Sequence, residues 1–187
     1  MRQKLDMEEE NKTKGEPSTM QQAIRRILRI HKLNNPNFDG TPERIERMWK
    51  EFFDVKEPVL TVFTTECNEM MVVKNHVVWG FCPHHLLPVR YTFRIGYIPR
   101  GLAVGLSKLP ELANYFITFL PLQEDLPGMI CAFLEEKLKP QGVGCCVEGM
   151  HLCMVMRGVK SPCVEAVVTK LKGIILLNPP THSEFFH

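Results

Sequence analysis

The chain has 187 residues, 44% of them hydrophobic and 24% charged. These are proportions of a globular protein, not of a collagen, a low-complexity tract or a coiled coil. Lys and Arg total 23 against 21 Asp and Glu, which gives no electrostatic footprint for nucleic acid, and no apolar run approaches the ~18 residues of a membrane span.

Residues 1–17 are rich in charge and hold no aromatic residue, which reads as a flexible arm. They lack the apolar stretch of a secretory signal, so a cytoplasmic protein is expected. Ser18, with Gln21 three residues on, has capping-box spacing and should open a helix with Ala23, Ile24, Ile27 and Leu28 on its apolar stripe. Residues 34–37 break it. Thr41 should cap the next helix, with Pro42 at its first position and Ile45, Met48, Trp49, Phe52 and Phe53 forming the stripe. This N-terminal helical region spans residues 18–57.

From residue 58 the pattern changes. Val72, Val73, Val77 and Val78 suggest an extended segment running to Gly80-Phe81-Cys82, and residues 91–98 a second strand closed by Pro99-Arg100-Gly101. Ser107 should cap a third helix, with Pro110 in its first turn. Residues 123–138 should form a fourth, stopped by Pro140-Gln141-Gly142. Residues 143–157 and 164–177 read as long strands. Helices and strands thus come in runs, which indicates an α+β domain with an antiparallel sheet over residues 58–187.

There are seven cysteines, an odd number. With no sign of secretion they should be thiols or metal ligands rather than disulfides. Cys131, Cys145 and Cys146 read as small buried hydrophobes. The two-residue gap in Cys82-Pro83-His84-His85 lets one turn present Cys82 and His85 to a metal. On a strand, His151, Cys153, Val155 and Arg157 would share a face, with Arg157 ~13 Å from Cys153. Cys82, His85 and Cys153 make a Cys2His set with one tetrahedral position open, the catalytic arrangement for zinc. A closed structural site is the alternative, with His84 or His151 as fourth ligand. In the open arrangement zinc activates a water near neutral pH, and His84 and His151 remain for proton transfer. The zinc deaminase signature, the P-loop, the nucleophile elbow and the dinucleotide fingerprint are absent.

Several separated stretches together resemble the GTP cyclohydrolase I family: Thr41-Pro42-Glu43-Arg44, Cys82-Pro83-His84-His85-Leu86-Leu87-Pro88, Tyr97-Ile98-Pro99, Gly105-Leu106-Ser107-Lys108, Leu122-Gln123-Glu124 and His151-Leu152-Cys153-Met154-Val155-Met156-Arg157-Gly158-Val159. The resemblance implies a tunnelling fold, an antiparallel sheet with two helices on one side. It also implies edge-to-edge assembly into pentameric rings stacked as a decamer, with sites between subunits. The implied reaction converts GTP and water to 7,8-dihydroneopterin triphosphate and formate, a step that can feed folate, tetrahydropterin or deazaguanine routes. Carried over by position, Cys82, His85 and Cys153 hold Zn2+, and His84 and His151 move protons. Gln123 and Glu124 grip the guanine edge, and Ser107, Lys108 and Arg157 take the triphosphate.

Four positions depart from the family pattern. Pro83 stands for a glutamate, and Phe119 and Asp125 for arginines. Glu111 replaces an arginine that contacts phosphate, and places a negative charge where a triphosphate is expected. A substrate-shifted or catalytically idle protein that binds a purine or pterin is the alternative.

Overall fold

The computed structural model describes residues 17–187, so the expected arm lies, apart from Pro17, outside the described residues. The described residues fall into two compact units that divide after Asp54, residues 17–54 and Val55–His187.

In the first unit, helix α1 (Thr19–Ile30) begins as its sequence indicates, with the Ser18 side chain accepting from the Gln21 backbone N–H at 3.2 Å. The Gln21 side chain does not complete a capping box; it donates to Glu46 at 2.5 Å. Helix α2 (Thr41–Phe53) differs from expectation at its start. Its N-cap is Gly40, at φ 72°, and Thr41 is already helical. Glycine enters the left-handed region without the steric cost that a Cβ brings. The Thr41 hydroxyl instead accepts from Arg44 at 2.8 Å.

The second unit is α+β. Strands β2 (Met71–Phe81), β3 (Pro88–Ile98), β5 (Gly142–His151) and β6 (Ala166–Gly173) form one antiparallel sheet in the order β2-β3-β5-β6. Two short strands, β1 (Val62–Thr64) and β4 (Leu102–Val104), pair separately. The Tyr97 hydroxyl accepts from the Val104 N–H at 2.9 Å and so ties β4 to the main sheet. Helices α3 (Lys108–Ile117) and α4 (Leu126–Leu138) cover one face. The period of two on the strands builds that core: Tyr91, Phe93, Ile95 and Tyr97 of β3 and Val143, Cys145 and Val147 of β5 pack against Leu112, Phe116, Ile130 and Leu134 of the helices. Cys131, Cys145 and Cys146 are buried, as expected.

Other element boundaries in the second unit also depart from the sequence reading. The strand expected over residues 143–157 ends at His151, and a short helical turn, α5 (Leu152–Val155), follows. The strand expected over 164–177 gives way after Gly173, at φ 61°, to the turn α6 (Ile174–Leu177). A Cβ at Gly173 would stand 2.2 Å from the Gln141 carbonyl oxygen, so the chain can bend there only because glycine has none. Helix α4 starts at Leu126, not near residue 123. Residues 122–125 form a turn closed by Asp125 N–H donating to the Leu122 carbonyl at 3.1 Å.

A last helix, α7 (Pro179–Phe186), has no counterpart in the sequence reading. The Asn178 side chain caps it, accepting from Thr181 N–H at 3.1 Å. Its Phe185 is fully buried against Ile98, Cys146, Leu171 and Ile175, on the sheet face opposite α3 and α4. Gly144 makes room, since a Cβ there would lie 2.8 Å from the Phe185 ring.

Candidate active site

Strand register brings the site together. Phe81 pairs with Pro88, so residues 82–87 form the loop of the β2–β3 hairpin. The Cys82 N–H donates to the Leu87 carbonyl at 2.9 Å and the Leu86 N–H to the Cys82 carbonyl at 2.8 Å, with Leu86 left-handed at φ 52°. One tight loop therefore carries Cys82, His84 and His85. Val89 pairs with His151, which places the end of β5 beside that loop. The turn α5 then carries Cys153 to it.

Cys82, His85 and Cys153 have their donor atoms all within 4.8 Å of one another. Cys82 is buried, Cys153 half-buried and His85 exposed. Two thiols and an imidazole are a zinc donor set, so these residues fit the metal that the sequence implied. His84 and His151 fall outside the group. His84 has its Nδ1 3.7 Å from the Cys82 sulfur, and His85 its Nδ1 at 3.8 Å. Burial, and after it the neighbouring Cys82 thiol, push the Cys153 thiol above its ordinary pKa.

The helical turn after β5 also overturns an expectation. Arg157 does not continue along a strand away from Cys153. The chain folds back, and the Arg157 guanidinium donates to His85 Nε2 at 2.7 Å.

A pocket is lined by Cys82, Pro83, His84, His85, Leu122, Gln123, Glu124, His151, Cys153, Met154, Ala166 and Val168. Seven of the ten residues read as site residues from the sequence meet there or at its rim: the three Cys2His residues, His84, His151, Gln123 and Glu124. Arg157 joins them through His85. Ser107 and Lys108 do not line it. Ser107 occupies the N-cap position of α3 without a side-chain capping bond. Lys108 is held by Glu111, its Nζ donating to the two carboxylate oxygens at 3.1 and 2.8 Å.

Glu124 is exposed at the pocket, whereas Gln123 is 5% exposed. Burial lowers the pKa of His151; the Glu124 charge opposes that shift and His84 adds to it. The ring stands edge-on to Tyr91, centroids 6.0 Å apart. Burial, with smaller contributions from Cys82, Glu124 and Cys153, pushes the Tyr91 hydroxyl up to about 12, so it stays protonated.

Sequence reasoning missed how Gln123 is held and why Gly149 precedes His151 by two. The available signal was the glycine itself: in a strand it marks a close approach by a neighbour. A Cβ at Gly149 would stand 2.2 Å from Gln123 Oε1.

The family model described as GTP cyclohydrolase I matches residues 20–187. A protein named GTP cyclohydrolase 1 from Sulfurihydrogenibium sp. (strain YO3AOP1) is 38% identical over 173 residues, covering 90% of this chain and 92% of that protein. One of the same name from Aquifex aeolicus (strain VF5) is 42% identical over 156 residues, covering 81% and 85%. Another from Campylobacter curvus (strain 525.92) is 34% identical over 177 residues, covering 90% and 93%.

Proposed function

The chain belongs to the GTP cyclohydrolase I family, and on that footing we propose that it is the zinc-dependent enzyme that converts GTP and water to 7,8-dihydroneopterin triphosphate and formate. The observation that carries the reading is the convergence of Cys82, His85 and Cys153 on one point beside two further histidines. A closed structural site would draw one of those histidines in as a fourth ligand, and neither belongs to the Cys82–His85–Cys153 group.

Cys82, His85 and Cys153 would hold the zinc, with His84 and His151 outside the ligand set. Zinc held there supplies a Lewis acid and a water made nucleophilic near neutral pH. The protein's own groups do the rest. Glu124, exposed at the pocket, accepts from the guanine ring N–H and amino group and sets the base so that its C8 faces the metal ligands. His151, kept neutral by burial until a reacting group offers it a proton, takes and returns that proton as the imidazole ring of guanine opens. His84, beside Cys82, assists the transfers that follow.

Ser107, Lys108 and Arg157 would grip the triphosphate. Ser107 and Lys108 do not line the pocket of their own chain, which favours a site completed by a neighbouring subunit within a decamer of two pentameric rings. The enzyme would work in the cytoplasm. Among the described residues no helix is long and apolar enough to cross a membrane.

The Lys108–Glu111 pair favours one second reading: the same ring opening on a guanine nucleotide gripped less firmly at its phosphates. The decisive assay incubates the zinc-loaded protein with GTP and follows formate and, after oxidation, fluorescent neopterin. Both products at equal yield are expected. Absence of both would dismiss the cyclohydrolase reading. Faster turnover of the diphosphate than of the triphosphate would select the second reading.

A further inference from the structure

A primary amide has two N–H donors on one side and an acceptor oxygen on the other, and its orientation is read from its partners. The partners of Gln123 leave one choice. Nε2 lies 3.2 Å from the Val147 carbonyl and 2.7 Å from the Ala166 carbonyl. Both are acceptors, so this atom is the NH2 group. Oε1 is therefore the atom 2.7 Å from His151 Nε2, and it can only accept. The proton in that contact sits on His151 Nε2.

The backbone dictates the same arrangement. Val147, Gly149 and His151 alternate on β5 and share a face, and the Gln123 amide lies along that face, bridging β5 to the start of β6. Gly149 leaves the space it fills. Gln123 is 5% exposed, and its side-chain amide has no donor left for a ligand.

We propose that Gln123 is a positioning residue: it holds the His151 ring in one orientation, its Nε2–H turned to the amide oxygen and its Nδ1 left for other partners. Its effect on turnover rests on the reading of this pocket as the active site. This role replaces the expectation that Gln123 grips guanine; that task is left to Glu124. An orienting partner on one imidazole nitrogen selects the tautomer and so the chemistry of the other.

The test needs no turnover for its first arm. Solid-state 15N spectra of zinc-loaded, [15N]histidine-labelled protein report which ring nitrogen bears the proton, with His151 assigned by difference against His151→Asn. The expected wild-type spectrum has His151 protonated at Nε2, and Gln123→Met should yield a mixture of tautomers. A wild-type His151 protonated only at Nδ1 overturns the proposal, as does a spectrum unchanged in Gln123→Met.

The second arm compares GTP with inosine triphosphate, which lacks the 2-amino group. Gln123→Met should lower kcat about tenfold to a hundredfold and leave the ratio of kcat/KM for the two substrates unchanged. Gly149→Ala should do the same with Gln123 still in the chain. A raised KM for GTP with an altered ratio and an unmoved kcat would make Gln123 a guanine contact and overturn the proposal. If the wild type turns over neither nucleotide, the functional reading fails by itself, while the spectra still decide the tautomer.

Discussion

Cys82 and Cys153 stand together in surroundings that disfavour two thiolates, since burial and the Cys82 neighbour both hold the Cys153 thiol protonated. A divalent cation reverses that balance, because a coordinating thiol gives up its proton to the metal. Each cysteine should therefore be needed for binding. Cys82→Ala and Cys153→Ala, prepared with zinc and dialysed, should each lose most of the metal found by elemental analysis. One zinc per subunit in both variants would break the ligand assignment. His151 provides the contrast. Its Nε2 is committed to Gln123, so His151→Ala should keep its zinc and slow the chemical step by ~10²–10⁴, the usual worth of a positioned acid or base. Single-turnover kinetics and a metal count on the same sample check both halves, and loss of zinc would move His151 into the ligand set.

At the scale of elements, the first turn of α3 carries a conflict. Lys108 stands where the family resemblance expects a phosphate contact, and Glu111, one turn on, occupies its ammonium. The two side chains are 21% and 41% exposed, so the pair itself adds little to stability, ~0–1 kcal/mol at most. Its effect should fall on substrate. Glu111→Arg frees Lys108 and adds a second cation. A net gain of ~1.4 kcal/mol would lower the KM for GTP about tenfold. The gain should shrink with added salt, because exposed charges are screened over ~8 Å at physiological ionic strength. KM measured at two salt concentrations checks this, and an unchanged value at both would remove Glu111 from the substrate site. The turn α5 shows the opposite relation between element and site. Because β5 stops at His151, Arg157 reaches His85 instead of continuing along a strand.

On the scale of the whole molecule, the sheet of the second unit is sandwiched unevenly. Helices α3 and α4 cover one face; on the other, α7 inserts Phe185 over Gly144. That ring is fully buried, and Phe185→Ala should cost ~3–5 kcal/mol through the cavity it leaves. The midpoint of denaturant unfolding measures it, and a loss below ~1 kcal/mol would show that α7 contributes little to the core. The outer strands β2 and β6 end the sheet within one chain. Unpaired edges invite pairing with other chains, which suits ring assembly. Light scattering on the eluting protein should give the mass of ten subunits, whereas a monomer would leave the pocket without Ser107 and Lys108 in its lining.

The sequence by itself determined the fold class, the family and the Cys2His grouping. These depend on local periodicity and on residue types at fixed spacing, and Cys82-Pro83-His84-His85 keeps its spacing however the chain folds. The ends of β5 and β6 were not legible, because His151-Leu152-Cys153 alternates as well in a strand as at a strand end, and a bend at Gly173 is decided by the carbonyl that approaches it. Helix α7 escaped for a similar reason: Phe185 is fixed by the space over Gly144, forty-one positions away. The role of Gln123 was the least visible. Its neighbour Glu124 suggested a shared grip on substrate, yet adjacent residues can face opposite ways. Only the tertiary structure placed the Val147 and Ala166 carbonyls where they take both of its donors and turn its oxygen to His151.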